Sequence, residues 1–164
     1  MKTLQDYKEE YDKLPLKKNL SGKEALKAVK KNGLVLQYVK EQNFEICLAA
    51  VKEDGSALQY VNEQNFEICL EAVKENGYAL QFVDAKNQTP EICLAAVKQN
   101  GYALQFVDAK NQTPEICLEA IKEDSDALQY VNSDMFDNVI TLSNGTKVSE
   151  ETIKEALKFV AECK

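Results

Sequence analysis

Residues 67–90 read EICLEAVKENGYALQFVDAKNQTP, and residues 91–114 read EICLAAVKQNGYALQFVDAKNQTP. Only two of these 24 positions differ, Glu71 against Ala95 and Glu75 against Gln99. Looser copies of 22 residues flank them at 23–44, 45–66 and 115–136. Self-similarity at a short fixed period is the signature of a stacked-repeat architecture. A residue that recurs in every copy is then first a packing residue. Function lies in what differs between copies, or in the surface the copies jointly form.

One copy is legible as a physical unit. Thr89 suits a helix N-cap, Pro90 the first turn, and Glu91 the positive end of the helix dipole. Ile92, Cys93, Ala96 and Val97 then make one apolar stripe. Lys98 falls in the last turn, and Asn100-Gly101 is expected to end the helix with a left-handed glycine. A second short helix is expected over Tyr102 to Val107, with Leu104 and Val107 on one face and Phe106 beside them. Asp108 to Gln112 reads as a polar loop before Thr113-Pro114 opens the next copy. Helices this short are not stable alone, so the copies must lean on one another. In the earlier copies Asn43 and Asn65 stand in for the Thr caps, and Phe44 and Phe66 for the prolines.

The predicted fold is all-α: short helix-turn-helix repeats of 22–24 residues stacked as a solenoid, with a small C-terminal β-hairpin plus helix. Residues 1–22 are expected to form an N-terminal capping helix with Leu4, Tyr7 and Tyr11 on one face. Ser21 with Glu24 reads as a capping box opening the first copy. Residues 23–136 form five repeats. In 137–164, Val139 to Leu142, an Asn144-Gly145 turn and Lys147-Val148 suggest a hairpin. A helix from Glu150 to Cys163 follows, capped by Ser149.

Composition narrows the function classes. The 164 residues hold no His and no Trp, and every one of the 20 basic residues is Lys. Without His the commonest general base and metal ligand is missing, and without Arg the preferred bidentate reader of phosphate and guanine. Residues 1–33 carry nine Lys against five acids; residues 34–136 carry seven Lys against 17 acids, a net charge of −10. Such an array repels nucleic acid and attracts a basic protein surface. No stretch approaches the ~20 apolar residues of a membrane span. The charged N-terminus lacks the apolar middle of a signal peptide, which points to a cytoplasmic location.

The copies resemble a family of short helical repeats known only as a domain of unknown function, with a pattern close to (E/V)(I/V)xLAAVKQNGxALQYV. The resemblance spans about residues 23–132 and is densest at Ala95–Gly101 and Ala103–Val107. That family occurs in microbes and large viruses, usually in tandem copies. The resemblance implies an all-helical array and supplies no catalytic residues.

Residues at equivalent positions form columns. Cys47, Cys69, Cys93 and Cys117 lie on the apolar stripe without C-x-x-C spacing and read as small buried hydrophobes. Gln37, Gln59, Gln81, Gln105 and Gln129 are expected to bond loop backbone or a neighbouring copy. Lys30, Lys52, Lys74, Lys98 and Lys122 complement helix C-termini, and Tyr38, Tyr60, Phe82, Phe106 and Tyr130 pack in the core. Tyr78 and Tyr102 occupy a position held by Leu34, Ser56 and Asp126 in other copies, which marks them as contact aromatics. With Glu71, Glu75, Asp84 and Asp108 they are the candidate partner-binding residues. No catalytic residue, metal site or cofactor is indicated, since adjacent acids do not face each other on a helix and no nucleophile has a His partner. The expectation is a non-catalytic protein that binds a macromolecule, a protein with a basic surface, and neither nucleic acid nor membrane directly. Two alternatives stand beside it: a phage or mobile-element inhibitor of a host nucleic-acid-targeting defence enzyme, and sequestration of a small ligand between repeats.

Overall fold

A computed structural model describes residues 20–132. The expected N-terminal capping helix, the hairpin and helix of 137–164, and the last residues of the fifth copy lie outside the described residues. Five α-helices run in order: α1 (Gly22–Val29), α2 (Phe44–Glu53), α3 (Phe66–Glu75), α4 (Pro90–Gln99) and α5 (Pro114–Glu123). Each is followed by a six-residue 3₁₀ helix: η1 (Gly33–Tyr38), η2 (Gly55–Tyr60), η3 (Gly77–Phe82), η4 (Gly101–Phe106) and η6 (Ser125–Tyr130). A further 3₁₀ turn, η5 (Ala109–Asn111), lies in the loop between η4 and α5. Each α-helix packs on the α-helices before and after it, and each long 3₁₀ helix does likewise, giving two layers.

The starts of α2 to α5 follow the sequence. Asn43 and Asn65 accept the N–H of Ile46 and Ile68 at 2.9 and 3.0 Å, and Thr89 and Thr113 those of Ile92 and Ile116 at 3.4 and 3.3 Å. Ser21 takes the N-cap position of α1, but its side chain makes no capping hydrogen bond. The expected capping box therefore lacks its serine half. The helix begins instead on Gly22 at φ 54°, a conformation that departs from a regular first turn.

The core is the repeated stripe itself. Ile, Cys, Ala and Val (or Ile) of each helix α2 to α5 are buried, from Ile46, Cys47, Ala50 and Val51 to Ile116, Cys117, Ala120 and Ile121. The 3₁₀ layer supplies Ala79, Leu80 and Val83 and their equivalents.

The link between the two layers differs from expectation in two ways. The second element is 3₁₀ rather than α: its bonds run i→i+3, as from the Val107 N–H to the Leu104 carbonyl. Its start is also not a left-handed glycine: among the described residues Gly22 alone has positive φ. Asn100, in extended conformation, ends α4 by donating its N–H to the Ala96 carbonyl at 2.9 Å. Its side chain then opens η4 by accepting the Tyr102 N–H at 3.0 Å. Asp54, Asn76 and Asp124 do the same for Ser56, Tyr78 and Asp126. Glycine follows because the next copy's backbone lies against it. A methyl on Gly77 would sit 2.6 Å from the Ala96 carbonyl oxygen, and Gly33, Gly55 and Gly101 face Ala50, Ala72 and Ala120 in the same way.

Candidate functional site

At the edge where each 3₁₀ helix returns to the next α-helix, a second glutamine column precedes the N-caps: Gln42, Gln64, Gln88 and Gln112. Each side-chain amide grips the following copy twice. Gln42 donates to the Tyr60 carbonyl (2.7 Å) and accepts the Asn62 N–H (3.0 Å). Gln64 does so with Phe82 and Asp84 (2.6 and 2.8 Å). Gln88 takes Phe106 and Asp108 (3.0 and 2.6 Å), and Gln112 takes Tyr130 and Asn132 (3.1 and 2.8 Å). At the first copy the backbone of Leu20 does this work: its N–H donates to the Tyr38 carbonyl and its carbonyl accepts the Lys40 N–H. A glutamine amide carries the same donor and acceptor as a peptide unit, so each staple imitates one residue of the parallel bridge between Leu20 and Val39.

The longer loops add to this grip. In 84–89 and 108–113 two extra residues bring in Asn87 and Asn111, which donate back to the carbonyls of Gln64 (3.4 Å) and Gln88 (2.8 Å). The glutamines of the first column behave otherwise. Gln37, Gln59, Gln81, Gln105 and Gln129 are exposed, and each donates to the carbonyl three residues earlier in its own 3₁₀ helix. They reach no neighbouring copy.

The six candidate residues fall in three places. Glu71 lies on the outer side of α3, where Lys74 (3.1 Å) and Lys52 of the preceding copy (3.5 Å) bracket it. The Lys74 contact, reinforced by Lys52, holds its carboxyl below the usual value. Glu75, at the end of α3, accepts the Gly55 N–H at 2.5 Å; Gln99 accepts that of Gly77 likewise. Tyr78 and Tyr102 are half-buried beside the inter-layer turn, edge-on to Phe106 and Tyr130 of the next copy at 6.0 and 6.1 Å. The Tyr102 hydroxyl donates to Asp126 at 3.3 Å, and burial with nearby Asp124 and Asp126 raises its pKa. Asp84 and Asp108 stand at the opposite edge, in the loops, with Asp108 3.9 Å from Lys110. The fold therefore does not gather the six into one patch.

The cysteine column is buried and unpaired in disulfides. Cys47 and Cys69 each donate to the stapling glutamine of the same loop at 3.5 Å. Burial pushes the thiols of Cys69, Cys93 and Cys117 up to about 11, helped by Asp84 at Cys69 and by Asp108 at Cys93.

Sequence reasoning treated Phe44 and Phe66 only as substitutes for proline. Both rings are exposed, at 46% and 43%. Beside Phe44 a cleft of about 440 Å³ opens between loop 40–44 and loop 62–65, floored by Cys47 and Ile68. The signal for it lay in the departure itself: an aromatic at the first position of a helix has no capping role to explain it.

Among the described residues no group of His, Cys, Asp or Glu is arranged to hold a metal ion, and no helix is long and apolar enough to cross a membrane. The two layers, the glutamine staples and the glycine junctions define a tandem helical-repeat protein. The chain belongs to the family described as Domain of unknown function (DUF4116), whose profile matches residues 25–64, 43–88, 65–111 and 89–136. No curated protein and no solved structure matches the chain.

Proposed function

We propose that this is a non-catalytic repeat scaffold that binds a protein partner with a basic surface through its acidic face, in the cytoplasm. One observation carries the reading: the glutamines that precede the helix caps, Gln42, Gln64, Gln88 and Gln112, are consumed in joining one copy to the next, whereas the acids of the first loops are left to solvent. Gln42, Gln64, Gln88 and Gln112 have both ends of their amides engaged. Asn76 and Asn100 cap 3₁₀ helices. Glu41, Glu45, Glu63 and Glu67 are exposed and form no ion pair with a described residue. Carboxylates of one sign spread over an extended surface draw in a cationic partner and hasten its approach.

The same observation bears on the small-ligand alternative. The cleft contains Gln42, yet that amide is already satisfied by Tyr60 and Asn62, so the glutamine is not free to orient a metabolite. The host-enzyme inhibitor is a narrower form of the leading proposal and shares its chemistry.

The test is co-purification followed by native mass spectrometry and a salt titration. The expected result is a stoichiometric protein complex that dissociates between about 0.1 and 1 M salt, over which the screening length falls from roughly 10 to 3 Å. A salt-insensitive complex, a bound metabolite in place of protein, or turnover of a substrate by the purified chain would overturn the proposal.

A further inference from the structure

We infer that the loop edge where the first and second copies end is a docking site for a basic amphipathic helix, with Phe44, Phe66 and the cleft beside Phe44 as its floor. The inference rests on the protein-binding proposal above and places it on the molecule.

Three observations converge on this edge. Phe44 and Phe66 hold equivalent positions in adjacent copies and are the two large apolar side chains left exposed among the described residues. The cleft beside Phe44 reaches inward to Cys47 and Ile68, with Lys40, Glu41, Asn62 and Glu63 among its polar walls. Around the rings, loops 40–45 and 62–67 carry Glu41, Glu45, Glu63 and Glu67 against the lone Lys40. In the later copies Pro90 and Pro114 replace the phenylalanines, and Asn87 and Asn111 tie the loops back. The aromatic edge is thus a property of the short-loop copies alone.

The chemistry fixes the occupant. An apolar pair ringed by unneutralised carboxylates matches an apolar stripe flanked by Lys or Arg. Stacked helices lie roughly 8–10 Å apart, so the two rings are about one such step apart. Two turns of a partner helix advance about 10.5 Å, so apolar side chains at i and i+7 meet both rings. A second copy of this chain is a poor occupant, since its net charge is −7 and acidic edges repel.

The experiment uses the full chain and a fluorescein-labelled amphipathic helix of Leu and Lys, with a Leu and Glu helix of the same pattern as control. Anisotropy is read for the wild type and for the double variants F44A/F66A and F44P/F66P; the second installs the residue that later copies already carry, so the fold is retained. The Leu/Lys helix is expected to bind, the Leu/Glu helix not, and both variants to weaken binding at least about tenfold. Binding that is unchanged in F44P/F66P would overturn this edge while leaving an acidic binding surface elsewhere intact. No binding to wild type at low salt would remove both this site and the wider acidic-surface proposal. A benzophenone photo-cross-linker at position 44 reads the occupant: cross-linking to the Leu/Lys helix supports the assignment. Cross-linking to residues 1–19 of the same chain, or to a second copy, overturns it.

Discussion

Two glutamines in adjacent copies show how little residue type says about role. Gln88 is buried at 8% exposure and its side chain holds the next copy by three hydrogen bonds, to Phe106, Asp108 and Asn111; Gln105 is exposed and bonds only the Tyr102 carbonyl of its own turn. Replacing Gln88 by Ala strands the Phe106 carbonyl and the Asp108 N–H, and is expected to cost about 1–3 kcal/mol. Gln105→Ala is expected to stay within about 0.5 kcal/mol. Urea denaturation of both variants checks the contrast, and equal losses would mean that the staples carry no special weight. The buried thiols make a second prediction. Their pKa rises from an ordinary 9.0 to about 11 at Cys69, Cys93 and Cys117. Below 9 both folded and unfolded thiols are protonated and the full stability is present. Between 9 and 11 the unfolded chain loses these protons first, so stability falls as pH rises. The decline amounts to roughly 1–2 kcal/mol per thiol. Comparing urea midpoints at about pH 8 and about pH 10.5, in reductant, for wild type and C69A/C93A isolates the effect, because the Tyr and Lys titrations are common to both chains. An equally steep decline in the double variant would refute it.

At the scale of the element, the junction between α-helix and 3₁₀ helix is where the copies touch most closely. Gly77 sits under the Ala96 carbonyl and gives its N–H to Gln99 of the next copy. Gly77→Ala forces backbone to yield and is expected to cost about 2–3 kcal/mol. Gly22→Ala meets nothing within 4 Å and bears only the penalty of φ +54°, about 1–2 kcal/mol. Thermal melts of the two variants rank them, and a Gly77→Ala protein as stable as wild type would contradict the close approach. The same junction shows what a sequence can and cannot disclose. Thr89-Pro90-Glu91 and the stripe Ile92, Cys93, Ala96, Val97 mark α4 because their causes are local. Gly101 after Asn100 fits a left-handed cap equally well; what decides its role is the Ala120 carbonyl of the following copy. The 3₁₀ geometry is hidden for a related reason, since Leu104 and Val107 are spaced alike in either helix. The net charge of −7 was legible from composition. The loop edge was not, because Phe44 and Phe66 show their exposure only once the loops are laid side by side.

For the whole molecule, the central question is whether each copy is an interchangeable layer or part of a single interior. The hydrogen bonds across each boundary, and the ring pairs across the last two, argue for layers. Removing residues 91–114 joins Pro90 to Glu115 and leaves the sequence QTPEICLEA in register. Gln88 would then meet Tyr130 and Asn132, the partners Gln112 now holds. Tyr78 would face Tyr130, as Tyr102 does now. The Gln99 contact at Gly77 would be lost, with Glu123 taking its place in the sequence. The staple and the ring pair that the deletion removes have ready equivalents, so the shortened chain is expected to fold cooperatively with the same helical circular dichroism per residue. It should be less stable by the contribution of one layer: 24 residues at about 0.05–0.15 kcal/mol each give roughly 1–4 kcal/mol. Its denaturant slope should shrink in proportion to length. Phe44, Phe66 and the cleft lie outside the deleted stretch, so binding of the Leu/Lys helix should survive unchanged. A molten product, with helical signal but no sharp transition, would show that the copies share an interior that cannot be divided between them.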